Sequence, residues 1–371
     1  MKMIPLARPS FTKTEIGEIR KVLESGIVAE GPTTREFEKR FANHVGMKHA
    51  IAVTSCTTAL HLALVAQGIG PGHEVIAPAF TFPASTNAIV QSGAKPVLVD
   101  VDPRTYNIDP SKIEEKISGS TKAIMPVHLF GQSADMDQIT KIASAHGLKV
   151  VEDAACGIEA RYRGRMVGTI GDVGCYSFHP RKILTTGEGG MLVTNDDETA
   201  NMALSLKNHG HALNDDSFQY FGYNYRLSDI LAAIGLVQLK RAAKLVSERK
   251  RIAKRYTKTL LADFKGLVSP PAVAPDVFHT YQAYVTYVED QSPRNRDEIN
   301  ALMRKAGIET QRGTRAVHLE PAYQRTYGYR RGMFPGAEAA FDHTLTLPLY
   351  NGITLGEMDR VLDNLRSVLE S

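Results

Sequence analysis

The sequence lacks the features that mark several classes of protein. Its only three cysteines, Cys56, Cys156 and Cys175, are widely spaced, so they suggest neither a metal site nor a disulfide framework. No apolar run reaches the roughly 18 residues that a membrane-spanning helix needs, and the first residues contain no apolar signal-peptide core. We therefore expect a cytoplasmic protein that holds no metal and enters no membrane.

A strong charge bias is also absent. The formal net charge of +4 is small for 371 residues, which argues against an extended surface for nucleic acid. No internal repeat or low-complexity tract is visible. A chain of this length can bury a large core and also form a second, smaller domain.

Apolar, β-favouring segments alternate with helical patterns in the first half of the chain. Helix-like stretches lie at residues 58–68 and 136–147, the second ending at a glycine suited to capping it. The segments predicted as buried strands are 49–55, 73–80, 95–101, 121–130, 148–154 and 190–195. This alternation predicts an α/β fold with a mostly parallel sheet covered by helices on both faces.

The second half has a different pattern. Residues 227–264 form a long amphipathic helical zone, which we expect to be broken once. An α+β segment follows, with a strand predicted at 280–288 and helices at 296–307 and 353–369. We predict two domains, a large α/β domain at 1–250 and a small C-terminal α+β domain at 251–371.

One lysine stands in a segment that suits catalysis. Lys182 follows an apolar segment and precedes the glycine-rich run GEGG, which can turn sharply beside a flat ligand. A deprotonated lysine can form a Schiff base with an aldehyde, and burial or a neighbouring positive charge favours the deprotonated amine. However, most of the 44 lysines and arginines must be surface residues, so Lys182 alone is weak evidence.

Three further features fall where predicted strands end, the edge at which open α/β sheets bind ligands. Residues 54–64 pass from strand to helix through small hydroxyl side chains, which can bind a phosphate or simply cap the helix. Asp153 ends an apolar strand and needs a partner, either a protonated pyridine nitrogen or an ordinary salt bridge. Phe82 can stack on a planar ring or pack in the core. With Lys182, these features together describe a site for pyridoxal 5′-phosphate.

Longer motifs make the chain similar to a known family. It resembles the DegT/DnrJ/EryC1/StrS sugar aminotransferases, a branch of the fold-type I, aspartate-aminotransferase-like enzymes. The resemblance covers nearly the whole chain, beyond the helix-start, EDAA and lysine motifs. The other motifs that carry it are IPLARPS at 4–10, SGIVAEGP at 25–32, PGHEVIAPAFTF at 71–82, VDVDPRTYNID at 99–109, GYNYRLSDI at 222–230 and HLEPAY at 318–323.

The resemblance implies a role for each site residue. Lys182 would bind the cofactor aldehyde and later move protons between the cofactor and the substrate. Asp153 would hold the proton on the ring nitrogen, and Phe82 would stack on the ring. The phosphate would be bound by Ser177, by the backbone of Cys56, Thr57 and Thr58, and by Asn224 of the neighbouring subunit. The active site would therefore be shared within a homodimer.

Two positions depart from the family pattern. Cys156 stands where members usually carry glutamine or histidine beside the ring oxygen, and a thiol is a weaker hydrogen-bonding group. Cys56 replaces a common glycine in the phosphate motif, which is tolerable if the turn needs no positive φ. Neither change removes a group that the chemistry requires.

The family chemistry implies two half-reactions. L-Glutamate would convert the cofactor to pyridoxamine 5′-phosphate and leave as 2-oxoglutarate, and the amino group would then pass to a keto sugar linked to a nucleotide. Arg226, His209 and His318 are candidates for substrate contacts. A structural salt bridge for Arg226 and structural hydrogen bonds for the two histidines remain alternatives.

Other functions remain open at this stage. A sugar 3-dehydratase of the same family carries histidine in place of the lysine, so Lys182 argues against it. The acceptor could instead be a keto-cyclitol. The chain could also be a cofactor-binding regulator without turnover, although no DNA-binding domain is visible in the sequence.

Overall fold

The structure, a computed structural model, describes residues 3–370, so positions 1, 2 and 371 of the predicted domains lie outside it. Its α-helices are α1 Lys13–Ser25, α2 Pro32–Val45, α3 Cys56–Ala66, α4 Ala84–Gln91, α5 Met136–His146, α6 Asp197–Lys207, α7 Asp229–Asp263, α8 Arg296–Lys305, α9 Pro321–Tyr327, α10 Pro335–His343 and α11 Leu355–Glu370. Its strands are β1 His49–Val53, β2 Glu74–Pro78, β3 Phe80–Thr81, β4 Lys95–Val99, β5 Thr121–Ile124, β6 Lys149–Asp153, β7 Arg161–Tyr162, β8 Arg165–Met166, β9 Val173–Ser177, β10 Gly190–Thr194, β11 Val268–Ser269, β12 Val277–Phe278, β13 Tyr284–Val288, β14 Arg315–Ala316 and β15 Thr344–Leu347.

A seven-stranded sheet forms the centre of the fold, in the order β1-β10-β9-β6-β5-β2-β4. The strands from β9 to β4 pair in parallel, whereas β10 runs antiparallel to both of its neighbours. Every residue of β10 is buried, as expected for a strand with helices or chain on both faces. The predicted α/β class with a mostly parallel sheet is therefore confirmed.

Local sequence signals explain where the helices beside the sheet begin and end. The Ser55 hydroxyl accepts a hydrogen bond from the Thr58 amide and caps α3, with Thr58 completing a reciprocal capping box. The Asp135 carboxylate caps α5 by accepting a hydrogen bond from the Gln138 amide. Gly147 ends α5 in the left-handed conformation, with φ of 62°. The predicted glycine cap of α5 is thus confirmed.

The long helical zone is continuous. Helix α7 runs for 35 residues without interruption, so the expected break is wrong. The segment contains no proline, and its one glycine, Gly235, packs against the ring of Phe37 instead of interrupting the helix. The predicted domain boundary between residues 250 and 251 falls inside α7, and the division itself remains a prediction.

A small three-stranded sheet, β11-β13-β15, lies in the C-terminal part of the chain. Helices α8 and α11 pack together beside it, over a core that includes Tyr284, Met303 and Val361. The strand and both helices predicted for this part are confirmed, with β13 beginning at Tyr284 rather than at residue 280. Within residues 3–370, none of the helices has the length and hydropathy that crossing a membrane requires.

Two contacts tie this part to segments that follow strands β2 and β5 of the central sheet. Strand β14 pairs antiparallel with β3, so residues 315–316 lie beside the strand that leads to Phe82. The loop before β13 hydrogen-bonds to the turn at residues 130–131. Both contacts bring C-terminal residues to the edge of the sheet where the predicted site lies.

Candidate active site

The predicted site residues converge at the carboxyl ends of two adjacent parallel strands. Asp153 is the last residue of β6 and lies opposite Cys175 of β9. Strand β9 ends at Ser177, and Lys182 follows in the loop that leads to β10. The first turn of α3 approaches from the other side, since Gly190 of β10 packs directly against Ser55. This is the sheet edge at which open α/β folds bind ligands.

Lys182 is half-buried, and its amine contacts a thiol. The Nζ atom donates a hydrogen bond to the Cys156 Sγ over 3.1 Å. Burial alone would lower the pKa of Lys182, but the Cys156 thiol and the Asp153 carboxylate raise it above its ordinary value, because both favour the ammonium form. The sequence suggested surroundings that deprotonate this lysine, whereas the chain's own groups act in the opposite direction.

A glutamine from the C-terminal part fixes the backbone around this lysine. Gln282 accepts a hydrogen bond from the Ile183 amide (3.0 Å) and donates one to the Arg181 carbonyl (2.7 Å), so it holds the residues on both sides of Lys182. No local sequence motif marks Gln282, because the residues it holds lie about a hundred positions away.

Gln282 is itself held by a buried arginine of α7. The Arg249 guanidinium donates hydrogen bonds to the carbonyls of Tyr281, Gln282 and Leu349. Burial lowers the pKa of Arg249 to about 10. At neutral pH the group therefore remains a cation that binds three carbonyl oxygens.

Asp153 is buried, and only neutral groups of the chain bind its carboxylate. Its exposed fraction is 3%. One oxygen accepts a hydrogen bond from the Ser85 hydroxyl (2.7 Å) and the other from the Ala155 amide (3.0 Å). Among residues 3–370, no cationic side chain forms an ion pair with it. A buried carboxylate without a cationic partner is costly, so this position suits a ligand that presents a positive charge.

The neighbouring Glu152 points to the opposite side of the strand and has a different environment. It is fully buried and accepts hydrogen bonds from the His128 ring (2.8 Å) and from the amides of Gly168, Ile170 and Gly171. Burial would raise the pKa of Glu152, but these hydrogen bonds lower it overall. Glu152 is thus a structural residue that anchors the loop after β8, and Asp153 alone faces the site.

The start of α3 offers backbone amides to an anion. The Thr58 amide is already bound to Ser55, so it is committed to capping the helix. The amides of Cys56 and Thr57 lie in the first turn, where helix geometry provides no intrahelical acceptor. Cys56 is the first residue of α3, and its helical backbone explains how a residue other than glycine fits there.

Glycine is required on the opposite wall of this turn. A Cβ atom at Gly190 would lie 2.4 Å from the Ser55 carbonyl, closer than any side chain allows.

Ser177, which ends the adjacent strand, is half-buried and receives only a long hydrogen bond of 3.4 Å from the His179 amide. Its hydroxyl hydrogen is therefore able to reach an anion at the α3 start.

Phe82 is a surface residue. Its exposed fraction is 68%, so the alternative of core packing does not hold. It follows β3 and precedes α4, three residues before Ser85, whose hydroxyl contacts both Phe82 O and Asp153. Sequence reasoning missed Ser85, since a hydroxyl at a helix start is ordinarily a cap.

Asn224 and Arg226 lie in a segment beside β1. Arg226 pairs with Val53, and the Thr54 amide donates to the Tyr225 carbonyl, so the segment reaches the α3 start of the same chain. The side chain of Asn224 is exposed, and Arg226 donates a hydrogen bond to Asn208. The contact of Asn224 with a neighbouring subunit remains a prediction.

The three histidines near the motifs differ in accessibility. His209 is exposed and has φ of 60°. His179 is half-buried, and burial lowers its pKa. His318 is fully buried and hydrogen-bonded to Glu338 at 3.0 Å, and burial lowers its pKa despite that carboxylate. The ring of His318 is thus enclosed by the chain, and its candidate role in substrate contact remains a prediction.

These groups fit pyridoxal 5′-phosphate. An amine, a buried carboxylate without a cationic partner, an exposed aromatic ring and a helix start with free amides match its aldehyde, ring nitrogen, ring face and phosphate. Within the described part of the chain, no group of histidine, cysteine and carboxylate side chains is arranged to hold a metal ion. The arrangement suits Schiff-base chemistry in a site of fixed geometry.

Comparisons with known proteins agree with this geometry. The family model of the DegT/DnrJ/EryC1/StrS aminotransferase family matches residues 9–366. GDP-perosamine synthase of Caulobacter vibrioides is 44% identical over 368 residues, covering 99% of this chain and 98% of that protein. The spore coat polysaccharide biosynthesis protein SpsC of Bacillus subtilis is 41% identical over 380 residues, covering 99% and 97%.

Solved structures of similar chains are also close. DesV of S. venezuelae, in complex with a ketimine intermediate, superimposes with a TM-score of 0.92 at 34% identity and covers 100% of both chains. The sugar aminotransferase Spr1654 of Streptococcus pneumoniae, in its PMP form, gives 0.94 at 31% identity, covering 99% of this chain and 98% of that one.

Proposed function

Because this chain belongs to the DegT/DnrJ/EryC1/StrS aminotransferase family, we propose that it transfers an amino group from L-glutamate to a keto sugar linked to a nucleotide. The chain is a pyridoxal 5′-phosphate-dependent sugar aminotransferase. The products of the proposed reaction are 2-oxoglutarate and an amino sugar nucleotide.

One observation carries the choice of acceptor. The chain is 44% identical, over nearly its full length, to a GDP-perosamine synthase, and 40% identical over 329 residues to a second from Escherichia coli O157:H7. Both names describe the making of an amino sugar on a nucleotide. We infer the same class of acceptor, without choosing among sugars, bases or ring carbons, because pocket shape decides these.

We assign the proton transfers to the chain's own residues. When bound, pyridoxal 5′-phosphate carries the amino group between the half-reactions and withdraws electrons from the bond that breaks. Lys182 Nζ takes up and returns the proton of the reacting carbon, and its surroundings favour the protonated form that such a donor needs. Asp153 keeps a proton on the ring nitrogen, and Ser85 orients Asp153. Phe82 would lie against one face of the ring.

We further propose that the active site is completed by a second copy of the chain. The segment before Asn224 exposes large apolar side chains, with Phe218 at 66% and Phe221 at 102%. Exposed aromatic clusters of this kind are typical of interfaces. Asn224 itself is exposed at the end of this segment, where it can reach a phosphate in a neighbouring subunit.

Subunit mixing tests the shared site. Chains carrying Lys182→Ala and chains carrying Asn224→Ala are expected to be impaired separately. Mixed dimers would contain one site with both native residues, so activity should return when the two variants exchange subunits. If mixing restores nothing although mixed dimers are present, the site lies within one chain.

The function is tested with a panel of acceptors. Glutamate consumption is measured with UDP-, GDP- and dTDP-linked keto sugars, and with a keto-inositol as the discriminating control. A nucleotide-linked sugar should react best, and the Lys182→Ala protein should not turn over. Preference for the keto-inositol would replace the acceptor proposal with a cyclitol. A Lys182→Ala protein that retains the native rate would contradict the mechanism.

A second candidate function has one observation in its favour. A protein of Geobacillus stearothermophilus named pleiotropic regulatory protein is 38% identical over 351 residues, covering 93% of this chain. A regulator would bind the cofactor without catalysing turnover. A glutamate-dependent change in the cofactor absorbance, together with amination of any acceptor in the panel, would reject this alternative.

A further inference from the structure

The only half-buried cysteine of the described residues lies against the catalytic lysine. Cys156 Sγ is 3.1 Å from Lys182 Nζ and accepts its hydrogen bond. Both residues are partly exposed, so small solutes can reach them. The thiol of Cys156 is therefore both accessible and in direct contact with an amine.

The other two cysteines have the opposite character, although both lie near the same site. Cys56 and Cys175 are buried, with exposed fractions of 7% and 0%. Burial raises the pKa of both thiols well above the ordinary value, and the Asp153 carboxylate adds to the effect. They therefore remain protonated and inert, and the reactivity of the three cysteines falls on Cys156.

We propose that Cys156 and Lys182 form a reversible sulfur–nitrogen bond when a peroxide oxidises the thiol while the lysine amine is free. This inference goes beyond the proposed function, since it depends on the side chains of two residues and not on the donor or the acceptor. The site is a modification site, and its co-reactant is a hydroperoxide such as hydrogen peroxide.

The chemistry balances in two steps. The Cys156 thiolate attacks one peroxide oxygen, the O–O bond breaks, and the released hydroxide takes a proton from the Lys182 ammonium and leaves as water, giving a sulfenic acid and a neutral amine. The Lys182 amine then attacks that sulfur, the S–O bond breaks, and the oxygen leaves as a second water with a proton from the nitrogen. The sulfur loses two electrons, and one peroxide becomes two waters. A thiol reductant reverses the link by attack on the sulfur.

The closeness of Lys182 Nζ to Cys156 Sγ favours the sulfur–nitrogen bond over further oxidation of the sulfur. A sulfenic acid without a nearby nucleophile proceeds irreversibly to the sulfinic acid. Here an amine lies within contact distance, so the second step is intramolecular and strongly favoured. The link would protect the thiol and block the lysine, because a lysine bonded to sulfur cannot bind an aldehyde. When the amine is joined to the cofactor, the reaction is suppressed.

Peptide mapping tests the proposal. The full-length protein is treated with hydrogen peroxide, both loaded with pyridoxal 5′-phosphate and after its removal with hydroxylamine, and is digested with trypsin without reductant. In the cofactor-free sample we expect residues 150–161 joined to residues 182–207, at a mass two hydrogens below their sum. Trypsin should not cut after Lys182 in this product. Dithiothreitol should restore both peptides and the ability to bind the cofactor.

Two variants and two internal controls make the result decisive. Cys156→Ser should give no joined peptide, and Lys182→Met should drive Cys156 to the sulfinic acid. Cys56 and Cys175 should stay unmodified in the same digests. The proposal is overturned if Cys156 of the native chain reaches the sulfinic acid as fast as in Lys182→Met, or if the link forms equally with the cofactor loaded. The mass readout is independent of turnover, so a wrong acceptor assignment would leave it unchanged.

Discussion

Replacing Glu152 with glutamine should destabilise the fold more than any other single hydrogen-bonding change beside the site. The carboxylate is 0% exposed and accepts four hydrogen bonds, from the His128 ring and from three amides of the loop after β8, at residues 168, 170 and 171. In glutamine an NH2 group replaces one of the two carboxylate oxygens. This NH2 group would face the N–H donors that the oxygen had accepted from. Leaving a buried hydrogen-bond donor unpaired in this way costs about 1–3 kcal/mol, and more beside a charged group, in the free energy of unfolding.

The chain contains a matched control for this change. Glu114 pairs with His146 at 3.4 Å, but both side chains are exposed, so Glu114→Gln should cost no more than about 1 kcal/mol. Urea unfolding of both variants, followed by far-UV circular dichroism, gives the comparison. Equal midpoints for the two variants would refute the reasoning.

The pH dependence provides a second test of the same residue. The hydrogen bonds lower the pKa of Glu152, so its contribution to stability is present above the ordinary carboxyl value of 4.5 and is lost as pH falls through the lower folded value. The native protein should therefore lose this contribution only in acid, whereas Glu152→Gln lacks it at every pH. The difference in unfolding free energy between the two should shrink below pH 4.5. A difference that stays constant into strong acid would contradict this assignment.

Three other changes probe the neighbourhood of the site. Ser85→Ala removes a hydrogen-bond donor to the Asp153 carboxylate and should weaken cofactor binding about tenfold or more in an absorbance titration. Ser85→Thr keeps the hydroxyl and should restore the affinity. Native affinity in Ser85→Ala would show that the contact is dispensable. Gln282→Ala frees the backbone on both sides of Lys182 and should slow attachment of the cofactor, followed by its absorbance, with Gln282→Glu intermediate because it keeps one of the two hydrogen bonds. Burial lowers the pKa of His279 to about 3. Between pH 6.5 and about 3 the unfolded chain therefore binds a proton at this residue that the folded chain does not bind, so the free energy of unfolding should decrease as the pH is lowered through that interval. His279→Phe should flatten this part of the stability profile, and an unchanged slope would contradict it.

The sequence predicted the parts of the site that lie at strand ends. Asp153 ends an apolar strand, Lys182 and Phe82 follow others, and parallel strands bring such residues to one edge of the sheet. The same reasoning could not identify Gln282 or Ser85, because their contacts depend on how distant segments pack.

Two other features explain the remaining differences. Glu152 and Asp153 both lie at the end of β6, but successive strand residues face opposite sides, which gives the two carboxylates different environments. His318 occurs in a family-like motif, yet the fold encloses it against Glu338. A motif predicts which residues occur near a site, but the packing of the chain decides which of them a ligand can touch.

The uninterrupted helix α7 has a consequence for how the protein unfolds. At about 1.5 Å per residue, its 35 residues span roughly 50 Å. Its first half contributes Ala232 and Val246 to the core beneath the central sheet, and its second half contributes Tyr256 and Leu260 to the C-terminal core. If either core unfolds, its half of α7 loses its packing, and the helix then frays into the half that packs in the other core. Cooperativity between the two parts is therefore built into one continuous backbone, and the two cores should melt in a single transition.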